Sequence, residues 1–244
     1  VASDLNKDRT SVGQLAQTYV TFLNSAGTAA AGIQYDCSYM SYSLAANYEL
    51  SDDMAVFGSI SKGSRVNADR LGDGGFYSNG TAADGSVENE LTSFEFGAKV
   101  DEDDYSLFAT VFYVETDDVN SESTNANGGA RVRGYESTGL ELEASTKIGE
   151  IDLRGSMTWT DAEIVSSNDA SIIGNTPRRQ ADFVWSLSPS YQFGDHYVGA
   201  TLIGTTDSYS QDNNAYTMDG YTYINLFADF ALAPGLKLQM AVNN

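Results

Sequence analysis

The chain has 244 residues, with 34 acidic against 13 basic side chains and a net charge of −21 at pH 7. That balance excludes duplex nucleic acid as a partner, because a phosphate-binding surface must be basic. The single cysteine, Cys37, excludes an intrachain disulfide and a cysteine-based metal site. No apolar run approaches the ~18 residues a membrane helix needs. Val1 opens no charged stretch followed by an apolar one, so no signal peptide is read. Aromatic residues at 11%, 15 of them Tyr, with 23 Gly and only 3 Pro, make a strand-rich composition. The one membrane form still open to such a chain is a closed β-barrel.

Residues 1–36 read as an unassigned loop or preceding segment. From Cys37 the chain becomes a series of period-2 runs, which are half-buried strands by pattern. "SYMSYSLAANYEL" puts Met40, Tyr42, Leu44, Ala46, Tyr48 and Leu50 on one face. "LTSFEFGAKV" alternates Phe94, Phe96, Ala98 and Val100 with Ser93, Glu95, Gly97 and Lys99. The run "YSLFATVFYVET" is less clean, being apolar on both faces. "GYESTGLELEASTKI" sets Leu140, Leu142, Ala144 and Ile148 against Glu141, Glu143, Ser145 and Lys147. "IDLRGSMTWT" sets Ile151, Leu153, Met157 and Trp159 against Asp152, Arg154, Ser156 and Thr158. "ADFVWSLSPSYQF" sets Phe183, Trp185, Leu187, Tyr191 and Phe193 against Asp182, Ser186, Ser188 and Gln192. Ten strands are predicted: 37–50, 54–65, 91–101, 105–117, 134–148, 151–165, 180–194, 196–209, 220–232 and 235–243.

Their connections alternate in length. "SDD", "DEDD", "GE", "GD" and "APG" are tight turns, while 66–90, 118–133, 166–179 and 210–219 are long and rich in Gly, Asn, Ser and Asp. Long loops at one end and short turns at the other are the signature of an antiparallel transmembrane β-barrel, with short periplasmic turns and long extracellular loops. Such a barrel brackets its apolar band with aromatic residues. Tyr105 and Tyr113 share a face eight residues apart. At ~3.4 Å per residue and ~45° of tilt, that spacing rises about 19 Å along the membrane normal. Trp185 and Phe193 repeat it. The alternative reading is a secreted, acidic, carbohydrate-binding β-sandwich whose aromatics fill a core.

His196, the only histidine, falls in a two-residue turn at the short-turn end. A catalytic base needs a nucleophile placed against it, and an adjacent Asp195 does not supply one. His196 is therefore read as a turn residue, and neither a catalytic site nor a cofactor is expected. Arg65, Arg70, Arg131, Arg133, Arg178 and Arg179 lie at or beside long loops in this acidic chain. Two roles compete for them: gripping an anionic ligand through bidentate contacts, or binding lipopolysaccharide phosphates and neighbouring loop acids. Neither "DEDD" nor "ADRLGDGGFYSNGTAADG" has EF-hand spacing, so no metal site is assigned. The tyrosine-rich segment at 207–223 suits stacking on a sugar or aromatic ligand, and suits girdle packing equally.

Taken in order, "YESTGLELEAS", "LRGSMTWTDAEI", "GNTPRRQADF", "YQFG", "IGTTDSYSQDNN", "GYTYINLFADF" and "LQMAVNN" resemble the C-terminal strands of TonB-dependent outer-membrane receptors. "VFGSISKGSRVNADR" looks like a strand-then-loop segment of the same family. The resemblance covers 37–244. It implies part of a 22-stranded barrel in the outer membrane of a Gram-negative bacterium. It further implies a plug that engages the TonB complex, lipid and lipopolysaccharide around the wall, and uptake of a scarce small molecule such as a ferric siderophore. Plug and first strands are not among the quoted segments, and "AVNN" stops short of the family's usual aromatic terminus, so a fragment is expected. A stand-alone porin or adhesin barrel is the runner-up.

Overall fold

The computed structural model describes residues 2–7, 33–66, 88–120 and 131–244. A short antiparallel ribbon comes first, β1 (Ala2–Lys7) with β2 (Ile33–Ser38). Ten strands then form one sheet: β3 (Tyr42–Glu49), β4 (Met54–Val66), β5 (Glu88–Asp101), β6 (Tyr105–Asn120), β7 (Arg131–Ile148), β8 (Ile151–Ser167), β9 (Phe183–Phe193), β10 (His196–Thr205), β13 (Tyr221–Ala233) and β14 (Leu236–Val242). A two-residue pair, β11 (Ser208–Tyr209) with β12 (Thr217–Met218), lies inside the β10–β13 connection. The sheet order is β3-β4-β5-β6-β7-β8-β9-β10-β13-β14, every neighbour antiparallel to the next in sequence. A meander in one layer is not a sandwich, which needs two sheets packed face to face.

Because every step is a hairpin, connections alternate strictly between the two ends. The turns 50–53, 102–104, 149–150, 194–195 and 234–235 share one end. The connections 168–182 and 206–220 share the other, while 67–87 and 121–130, with Arg70 and the stretch "ADRLGDGGFYSNGTAADG", lie outside the described residues. Gly149 and Gly194 hold φ of 66° and 58° at the first central position of two-residue turns. That conformation, open to glycine, lets the turn follow the right-handed twist of its strands.

The ladder register carries one face continuously across the sheet. Leu44 pairs with Ile60, Ile60 with Phe94, and Phe94 with Tyr113. Further along, Leu142 pairs with Met157 and Met157 with Trp185, while Leu187 pairs with Leu202 and Leu202 with Ile224. These side chains form the lipid-facing surface, and Leu44, Phe96 and Val111 are among its exposed members. The opposite face carries Ser61–Ser93, Ser106–Ser145 and Ser156–Ser186 hydroxyl pairs at 2.7–2.8 Å. It explains the run that was apolar on both faces: Phe112 lies over Gly139 of β7, where a Cβ would collide with the ring. Phe57 covers Gly97 in the same way. The inward phenylalanines thus fill the space of missing side chains.

The apolar band has marked limits. At the short-turn end Tyr191 stacks on Phe193 (5.7 Å), Phe193 meets His196 (5.2 Å) and His196 meets Phe230 (5.8 Å). The Tyr191 hydroxyl donates to Glu150 at 2.8 Å, and at the other end Tyr113 donates to Glu115 at 2.8 Å. Just past Tyr113, Glu115, Glu136 and Glu163 stand directly opposite one another on three strands. Three carboxylates abreast mark the level at which hydrocarbon has given way to water. Tyr135 and Tyr221, also near the long-loop ends of their strands, fall on the inward face by register.

Several strands run longer than predicted. β6 has 16 residues and β7 has 18, and they are paired as far as Asn120 and Arg131. Sixteen residues rise about 38 Å at 45° of tilt, so these strands project beyond the ~25 Å apolar band, where polar sequence no longer signals a strand end. The strand expected at 37–50 is instead two elements. The β3–β4 ladder stops at Tyr42–Lys62, and the Ser64 amide donates to the Ser41 hydroxyl at 3.3 Å instead of to a strand partner.

The register predicts opposite tolerances at adjacent positions. Leu187 faces lipid and Ser188 faces inward, so in a bilayer refolding assay of the intact barrel Leu187→Arg costs ~2–4 kcal/mol and Ser188→Arg much less. Equal costs contradict the face assignment.

Candidate functional site at the long-loop end

Residues at the mouth are placed first by β7 and β8. A bulge at Val165 shifts the register between Gly134 and Tyr135, so that Tyr135 faces Ile164 and Gly134 faces Ser166. Bulges bend a strand and sharpen its twist, and here the bend lies next to Arg133. By register Arg133 is on the inward face with Tyr135 and Ser137, as are Ala162 and Ile164 of β8. Ala162, Ile164 and Arg133 are all buried, Ile164 completely. The β10–β13 loop reaches Arg133 through Asp212, and the β8–β9 loop pairs with Ile164.

The β8–β9 loop turns back along its own strand. The Ile164 amide donates to Asn175 O and the Gly174 amide to Ile164 O, both at 2.9 Å. A 3-10 turn at Ala170–Ile172, capped by the Asp169 carboxylate accepting from the Ser171 amide at 3.1 Å, buries Ile172. Ala162, Ile164 and Ile172 are the apolar residues buried at this end of the sheet.

Asp212, in the β10–β13 loop, ties the region together. Its Oδ2 accepts from Arg133 Nη1 as a buried ion pair. Its Oδ1 accepts from the Arg178 amide at 2.9 Å, and its carbonyl from Asn175 Nδ2 at 2.9 Å. Asn214 then holds Thr176 from both sides, its Oδ1 accepting from the amide at 3.1 Å and its Nδ2 donating to the carbonyl at 2.8 Å. The Arg179 amide donates to Tyr209 O at 2.7 Å. Five hydrogen bonds thus join two loops, and the ion pair carries them across β8, β9 and β10 to β7. A buried carboxylate demands such company: the desolvation of the charge is offset only by a counter-charge and further hydrogen bonds.

The six sequence-predicted arginines separate accordingly. Arg133 is buried in the Asp212 pair and faces inward, away from lipid phosphates. Arg178 and Arg179 are exposed on the bridged loop. Arg179 holds φ of 62°, unfavourable for a side chain with a Cβ. Arg65 and Arg131 lie at the long-loop ends of β4 and β7, opposite Asn89 and Asn120, and Arg70 is outside the described residues. His196 is the first residue of β10; its Nδ1 accepts from the Ala231 amide at 3.2 Å, next to the bulge at Leu232. It stitches a bulge where a plain turn residue was expected. Sequence reasoning missed Asp212, Asn175 and Asn214. "QDNN" is a sequence of turn formers, and nothing local names an arginine 79 residues away.

Comparison with known families matches residues 6–244 to the TonB dependent receptor-like β-barrel. The chain belongs to that family. The match takes in most of 1–36 as well as the ten-stranded sheet. The structure is similar to the siderophore receptor PiuA from Acinetobacter baumannii, at a TM-score of 0.71 and 17% identity over 91% of this chain and 34% of that one. It is also similar to the ferric citrate transporter FecA (0.71; 15% identity; 90% and 34%) and to the ferric yersiniabactin uptake receptor FyuA from Yersinia pestis (0.68; 15%; 87% and 33%). The chain spans about a third of the length of these structures. No curated protein matches.

The Asp212 pair makes a testable contribution to loop order. Asp212→Ala leaves Arg133 buried without a counter-charge, a loss of about 3–5 kcal/mol, whereas Arg133→Met with Asp212→Leu costs much less. Hydrogen exchange should quicken across 168–182 and 206–220 in the single variant and leave the β8–β9 ladder protected. Unchanged loop protection contradicts the assigned role.

Proposed function

We propose that this chain is part of the barrel of an outer-membrane TonB-dependent receptor that imports a scarce small molecule, of which a ferric siderophore is the class best supported. The observation that carries the reading is the roof: two long loops interlocked over a polar inward face at one end of a lipid-facing sheet. Loops held in place by a buried ion pair suit a receptor, because selective capture gains from binding groups fixed before the ligand arrives. The names of the similar structures, a siderophore receptor, a ferric citrate transporter and a ferric yersiniabactin uptake receptor, support an iron-bearing cargo.

In this reading the protein is no enzyme, and its work is binding and gated passage. The cargo enters from the long-loop end, and energy arrives through a plug that engages the TonB complex in the periplasm. Arg178 and Arg179 are the arginines best placed to grip an anionic ligand. Arg133 positions the loop that presents them, and Arg65, Arg70 and Arg131 complete the candidate set. The inward Glu141, Glu143, Asp152, Arg154 and Gln192 line the route or meet the plug.

Uptake of radiolabelled iron by cells carrying the intact receptor tests the proposal against catecholate, hydroxamate and citrate complexes. At least one should depend on the receptor and on TonB. Arg178→Ala spares the backbone bond to Asp212, and Arg179→Gly relieves the left-handed residue while removing its guanidinium. Loss of a buried charge-assisted contact, about 1.5–3 kcal/mol, weakens binding roughly 10- to 150-fold. Unchanged affinity in both variants removes the anion-gripping role, and receptor-independent uptake of all three removes the iron reading.

A further inference from the structure

The backbone ladder between β10 and β13 ends at the pair Tyr197–Asp229. Two residues further along β13 a side chain takes over, and the Ala231 amide donates to His196 Nδ1 at 3.2 Å. Just beyond, β13 bulges at Leu232 before turning into β14. A recess of about 840 Å³ opens beside the bulge, lined by Gln192, Asp195, Lys237 and the turn from Leu232 to Gly235. One imidazole nitrogen thus closes the seam at the short-turn rim.

That closure has a chemical condition. A neutral imidazole carries one N–H and one bare nitrogen, and only the bare nitrogen accepts. Protonation puts a hydrogen on Nδ1, aimed at the amide hydrogen, and attraction becomes repulsion. Histidine is the side chain whose charge changes between about pH 5 and 8. The charged ring has reason to stay where it is, because Phe193 and Phe230 lie 5.2 and 5.8 Å away, within reach of a cation–π attraction. Charging therefore releases the amide and leaves the ring in the girdle. The ionisable groups around it are Asp195, its neighbour in the chain, Glu150 in the adjoining turn, bonded to Tyr191, and Asp229 and Lys237 on the inward face. Their charges act on the rim through space, whereas the bond to Ala231 is made by His196. We propose that His196 is a proton-operated clasp. Neutral, it holds the end of the β10–β13 seam; charged, as pH falls, it frees the β13 bulge and the β13–β14 turn. The device is independent of the cargo.

Hydrogen exchange of the intact receptor in bilayers tests it, read on the segment 228–236 and corrected for the intrinsic pH dependence of exchange. Protection of Ala231 and its neighbours should fall severalfold from about pH 8 to about pH 5, while 140–148 of β7 keeps its protection. His196→Asn sets an amide oxygen near the place of Nδ1 and accepts at either pH, so the segment should stay protected throughout. His196→Phe keeps a ring and removes the acceptor, so the segment should exchange fast throughout. Wild-type protection that does not change with pH overturns the proposal. So does a change that survives in His196→Asn, which would assign it to Asp195, Glu150 or Asp229. A neutral ring with its hydrogen on Nδ1, read from the imidazole nitrogen shifts at the upper pH, overturns it as well.

Discussion

Everything in this structure depends on one constraint: in hydrocarbon a backbone N–H or C=O has no water to turn to. Each must be satisfied by a neighbouring strand, and only helices and closed barrels do so across a membrane. Among the described residues the chain pairs each strand from β3 to β14 with its neighbours in one antiparallel sheet, whose outer edges are those of β3 and β14. With backbone pairing fixed, the side-chain period of two has only one further choice to make, which face meets lipid. A slip of one residue would turn Leu153, Met157 and Leu187 inward and expose Asp152, Arg154 and Ser188 to hydrocarbon. The alternation of the sequence is therefore the record of the membrane.

Where water returns, the same backbone is put to other use. The strands continue past the girdle, and their inward face, no longer needed for a lumen wall, becomes a platform for loops. Arg133, Ala162 and Ile164 lie on that platform, and Asp212 brings two loops down onto it. A loop in water is free to satisfy its own backbone groups with solvent, so holding one in place takes specific partners. Here these are one buried ion pair, two asparagines and a short return along β8.

How much of this was legible in the sequence follows the same division. The ten strands, their order and their faces were readable because each strand states its own alternation, and the tight turns state their glycines. The long-loop ends were misjudged by up to several residues, because beyond the girdle a polar strand and a polar loop have the same composition. Phe112 obscured one strand until Gly139 was seen opposite it, a cross-strand fact with no local signal. The clustering of arginines at one end was readable, but their separate fates were not. Arg133 and Arg178 look alike in sequence, and only the folding of the 206–220 loop onto β7 buries one and leaves the other exposed. His196 gave no hint of the bulge it stabilises 35 residues away.

The central claim is that one face of this sheet meets lipid and the other does not. Spin labels placed singly at each position from 151 to 159 of the intact receptor in bilayers, with Cys37 replaced by serine, measure it directly. Collision with lipid-soluble oxygen should peak at the odd positions, Ile151, Leu153, Gly155, Met157 and Trp159. Collision with a water-soluble nickel chelate should not peak there. A profile without period two, or one with the even positions exposed to oxygen, would contradict the account.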